Sequence, residues 1–82
     1  MQIRVVYHDS VKDLVGTNVE MFHLDESATA ASLLSRVSAA HPETYSQLNS
    51  FQLGRGGQPI NQDAFLADGD IIDISVENSR TA

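Results

Sequence analysis

The chain contains no cysteine and no tryptophan. Disulfides, zinc-thiolate centres, iron-sulfur clusters and thiol nucleophiles are thereby excluded, so packing alone must hold the 82 residues together. Basic residues are scarce, with five Lys and Arg against eleven Asp and Glu for a formal net charge of -6. A surface of that sign repels phosphate backbones and anionic bilayers, which argues against nucleic acid and membrane as partners. Long apolar runs are missing as well, and Met1 leads directly into a strand-like segment with no charged-then-apolar leader. The expected location is therefore the cytoplasm.

A chain this short makes one domain, and ordering it costs roughly 1.5 kcal/mol per residue. So small a core offsets that cost narrowly and leaves no room for a deep, enclosed active-site cavity. The 41% hydrophobic content is nonetheless too high for a disordered tail.

Alternation identifies the first and last elements. In Gln2 to His8, Ile3, Val5 and Tyr7 share one parity; in Ile71 to Val76, Ile72, Ile74 and Val76 do the same. Val11, Leu14 and Val15 make a single helical turn ended by Gly16, and Asn18 to Leu24 is rich in strand formers. The clearest helix carries Ala30, Leu33, Leu34, Val37 and Ala40 on one stripe, capped by Ser27 or Thr29 and stopped by Pro42. Tyr45 and Leu48, one turn apart, suggest a short second helical turn lying over the core. Ser50 to Leu53 reads as a short strand and Gln58 to Ile60 as a stub, separated by glycines. The expected core is Ile3, Val5, Tyr7, Leu14, Val19, Met21, Leu33, Leu34, Val37, Phe51, Leu53, Leu66, Ile72 and Ile74.

Two hairpins separated by one helix bury only one sheet face, and the two most apolar strands belong side by side at the centre, parallel, beneath that helix. This predicts an α+β fold, the ubiquitin-like β-grasp, with a mixed sheet of about four or five strands covered on one face by one main helix.

Chemistry-bearing residues are few. His8 and His23 end strands expected to be neighbours, within reach of each other, and His41 closes the main helix. No pair of ligands has metal-motif spacing, and capping or surface roles explain the three imidazoles better. Gly54, Arg55, Gly56 and Gly57 look like a phosphate loop but lack a following helix, so a tight turn is expected. Asp68 with Asp70, and Asp9 with Asp13, have too few oxygens nearby for calcium and suit turn and helix-end roles. No serine has a base arranged beside it in sequence. The reading is a protein that is not an enzyme, with no catalytic residue, no cofactor and no metal.

Two stretches carry a family resemblance. VKDLVGT, Val11 to Thr17, is similar to the segment after the first strand of the small subunit of molybdopterin synthase. GQPINQDAFLADGDIIDI, Gly57 to Ile74, resembles the end of the same MoaD/ThiS family: a Gly turn, a Pro-apolar stub, a Leu, an Asp-Gly-Asp turn and the final strand. The resemblance implies a ubiquitin-like sulfur carrier of molybdenum-cofactor or related biosynthesis. In such carriers an adenylating enzyme activates a C-terminal diglycine carboxylate, and sulfur then displaces AMP to give a thiocarboxylate. The chain departs from that pattern where Arg80 and Thr81 take the places of the glycines and Ala82 follows, with Glu77 and Asn78 at positions usually apolar or proline. A tail that threads a narrow channel cannot carry side chains without colliding.

The functional expectation is thus a MoaD/ThiS-like subunit that binds another protein noncovalently and is not competent for thiocarboxylate formation. The alternative is the family's sulfur carrier, adenylated at its C-terminus. The domain is placed at residues 1–78 and a flexible tail at 79–82. Between Asp63 and the end five acids face only Arg80. The expected partner-binding residues are Asp68, Asp70, Asp73, Glu77, Arg80, Thr81 and Ala82, with a large synthase-type subunit, an adenylating enzyme or a second copy as the partner.

Overall fold

A strand whose apolar residues recur every second position hides one face only, and two such strands share a core best when adjacent. The computed structural model describes residues 1–76, apart from the side chains of residues 9 and 47–49. In it the two alternating segments, β1 (Gln2–Tyr7) and β5 (Ile71–Val76), pair in parallel, with Val5 beside Ile72 and Tyr7 beside Ile74. Those four side chains and Ile3 are at most 1% exposed.

The connection between them supplies everything else. A short helix, α1 (Asp9–Val15), ends at Gly16 in the left-handed region and leads to β2 (Val19–His23), antiparallel to β1. The main helix, α2 (Ala30–Ala40), begins at Thr29, whose N–H is accepted by the Ser32 hydroxyl at 3.3 Å. Its inward stripe is Ala30, Leu33, Leu34 and Val37, all buried. A 3-10 helix at Pro42–Ser50 leads to β3 (Phe51–Arg55), which is antiparallel to both β5 and β4 (Gln58–Ile60). Gly56 and Gly57, at φ 61° and 82°, form the two-residue β3–β4 turn, which needs positive φ at both positions. The sheet order is β2-β1-β5-β3-β4, with α2 over one face.

Several expectations need correction. Val19 and Met21 are 43% and 47% exposed, and Leu14 is half-buried. Phe22, Leu24 and Val11 take their places in the core, because Phe22 stands opposite Ile3 on the helix-covered face. The segment after Pro42 covers the core with Thr44, fully buried, while Tyr45 is 75% exposed; the Leu48 side chain lies outside the described residues. The expected boundaries at residue 78 and the tail at 79–82 also lie outside them.

Leu34 projects from α2 into this core, 5% exposed. Leu34→Ala should cost about 2 to 5 kcal/mol of unfolding free energy. Urea denaturation of the two proteins measures it, and a loss below about 1 kcal/mol would contradict the packing described.

Candidate protein-interaction face

The sheet face away from α2 carries the residues of opposite parity. Register places Arg4 between Met21 on β2 and Ile71 on β5, and Val6 between Val19 and Asp73. Ile71 is 48% exposed, so three large apolar side chains, Val19, Met21 and Ile71, stand open to solvent around one arginine. Arg4 makes no side-chain hydrogen bond or ion pair among the described residues. A shallow groove of about 700 Å3 extends the same face from Asp73 and Ser75 past Gln52 and Gly54 to Pro59. Contiguous apolar surface bordered by charge is the ordinary composition of a protein contact.

The acidic candidates separate by what their carboxylates hold. Asp68 Oδ1 accepts the Gln2 N–H at 2.8 Å. Asp70 Oδ2 accepts the Ala67 N–H at 2.9 Å and a bond from Arg55 Nη1 at 2.9 Å. Gly69, at φ 88°, donates its N–H to Gln2 O, so the Asp-Gly-Asp turn is stitched to the start of β1. Asp73 lies on the open face, its Oδ1 3.0 Å from His8 Nε2, and Asp68 borders the same face beside Arg4, Met21 and Ile71. Glu77, Arg80, Thr81 and Ala82 lie outside the described residues.

The histidines do not meet as expected. His23 stands beside Gln2 at the opposite end of β1 from His8, because β1 and β2 run antiparallel. His41 instead places Nε2 2.7 Å from Glu20 Oε1, which also accepts the Tyr7 hydroxyl at 2.8 Å. The Tyr7 and His41 rings meet edge to face, 6.2 Å between centroids. The sequence hid this trio because its members lie on three separate elements. No group of three His, Cys, Asp or Glu side chains among the described residues is arranged to hold a metal ion, and no helix among them is long and apolar enough to cross a membrane.

One main helix over a five-stranded mixed sheet whose first and last strands are central and parallel is the β-grasp, the ubiquitin-like fold. The sequence matches no protein-family model and no curated protein. Solved structures do match. Small archaeal modifier protein SAMP1 from Haloferax volcanii superposes with a TM-score of 0.89 at 17% identity, over 99% of this chain and 100% of that one. Molybdopterin converting factor subunit 1 from Pyrococcus furiosus gives 0.85 at 19% identity, over 93% and 97%. The complex of subunits 1 and 2 of molybdopterin-converting factor from Helicobacter pylori gives 0.68 at 14% identity, over 94% and 95%. At these identities the likeness establishes the fold.

Burial, then the hydrogen bond to Glu20 and its negative charge, hold the Tyr7 hydroxyl above the ordinary phenol range. The folded state thus keeps a proton that the unfolded chain releases near pH 10, so this contribution is complete below about pH 10 and is lost as pH rises beyond it. Urea midpoints followed into that range should fall more steeply for the native chain than for Tyr7→Phe. Equal slopes would contradict the buried phenol.

Proposed function

We propose that this protein is a noncovalent protein-interaction subunit that docks through its open sheet face, and that it does not form a C-terminal thiocarboxylate. It is not itself an enzyme on this reading. The observation that carries the proposal is the row of Val19, Met21 and Ile71, each more than two-fifths exposed, around Arg4. An anchor of exposed apolar side chains with one central cation suits a partner surface that is apolar and bears a carboxylate. The structures of similar fold include a molybdopterin-converting factor subunit 1 in complex with its subunit 2. By that analogy the partner candidate is a large synthase-type subunit, to which the sequence resemblance adds an adenylating enzyme.

The second reading is the sulfur carrier, favoured by the likeness to the Pyrococcus furiosus subunit 1 across 93% of the chain. It requires the C-terminal carboxylate to be adenylated and a sulfur donor to displace AMP, exchanging one oxygen for sulfur.

Calorimetric titration of either partner with variants separates the two. Ile71→Glu puts a charge at the centre of the open face and should weaken binding at least about tenfold, whereas deleting residues 79–82 should leave it unchanged. The opposite pattern, or a sulfur-for-oxygen mass change after incubation with ATP, a sulfur donor and the adenylating enzyme, would support the carrier instead.

A further inference from the structure

The outer edge of β2 has features that the open-face proposal does not use. Tyr7 donates its N–H to Asn18 O at 2.9 Å, and Leu24 donates its N–H to Met1 O at 2.8 Å. With the unbroken register between them, this fixes the alternation: residues 18, 20, 22 and 24 direct their backbone groups at β1. Val19, Met21 and His23 therefore aim theirs away from the sheet. Val19 O accepts the Thr17 hydroxyl at 3.2 Å and His23 O accepts Arg36 Nη1 at 3.0 Å, each keeping a second lone pair. The N–H groups of all three residues and the Met21 carbonyl have no partner among the described residues.

The two sheet edges are guarded unequally. β4 has three residues with Pro59 at its centre, which removes a donor and blocks continuation of the ladder. β2 has five residues, Val-Glu-Met-Phe-His, with no proline and no lysine. An edge of that kind is open to strand addition.

We propose that β2 is the seam of a homodimer, in which two copies pair their β2 strands antiparallel about a two-fold axis at Met21 and merge their sheets into one. The outward set 19, 21 and 23 is symmetric about Met21, so the Met21 N–H and C=O of each copy meet those of the other. Val19 of one copy then exchanges both bonds with His23 of the second. Side-chain chemistry agrees with this register. Met21 faces Met21, Val19 faces His23, and Glu20 faces Phe22, so no acid stands opposite an acid even though each chain carries a net charge of -6. Val19 and Met21, already 43% and 47% exposed, become one apolar row across the seam. A single strand pair buries little area for a protein contact, so the dimer is weak, with a dissociation constant between about 10 μM and about 1 mM. Val19 and Met21 border both surfaces, whereas Ile71 lies two strands away on β5, so Ile71→Glu tests the open face without touching the seam.

Sedimentation velocity across that concentration range, in about 0.15 M salt to screen the net charge, tests it. The native chain should sediment increasingly as a dimer, and a monomer persisting at about 1 mM would overturn the proposal. Met21→Pro removes a donor that makes no bond within the chain, so it should leave the circular dichroism of the fold intact and raise the dissociation constant at least about tenfold. Met21→Lys sets two like charges opposite each other without touching the backbone, and should do the same even if the proline variant misfolds. Gln58→Lys, on the other edge, should leave the dimer unchanged. Dimerisation unaffected by Met21→Lys, or weakened equally by Gln58→Lys, would refute the seam.

Discussion

The parallel contact between β1 and β5 is the constraint from which the remaining structure follows. Parallel neighbours cannot be joined by a tight turn, so the chain between them must travel, and it does so as α1, β2, α2, the 3-10 helix, β3 and β4. One main helix covers one face of the central pair, over Ile3, Val5, Tyr7, Ile72 and Ile74. Among the described residues no helix covers the opposite face. The contact also dictates the local chemistry at its start, where Asp68, Gly69 and Asp70 bind the β1 backbone and Arg55 ties β3 to the same turn.

Much of this was visible in the residues because two periodicities dominate. The stripe from Ala30 to Ala40 is helical over its whole length, and α2 has those bounds. Ile71 to Val76 likewise alternates cleanly and is β5. β2 was ambiguous for a physical reason: Val19 and Met21 share one parity, Phe22 and Leu24 the other, and both sets are apolar. Composition cannot choose between them. The choice is made by pairing, once Leu24 bonds to Met1 and Phe22 is brought opposite Ile3. The open face was therefore partly hidden in a misassigned core, since Val19 and Met21, two of the residues that now define it, were expected inside. The contact among Tyr7, Glu20 and His41 was equally invisible, since residues this far apart in sequence are joined only by the completed fold.

The acidic end of the chain divides along similar lines. Asp68 and Asp70 have local duties as acceptors in a turn, which is the common use of an Asp-Gly-Asp sequence. Asp73 faces outward beside His8 and borders the groove along β3 and β4. Recognition centred on Arg4, Val6, Val19, Met21 and Ile71 needs neither a diglycine nor an activated carboxylate.

The account stands on where a partner sits. Backbone amide shifts of the labelled protein, followed as unlabelled synthase-type subunit or adenylating enzyme is added, locate that contact residue by residue. The largest changes should fall at residues 4, 6, 19, 21 and 71, across β2, β1 and the start of β5. Changes confined to the residues after Val76 would place recognition at the terminus and contradict the account.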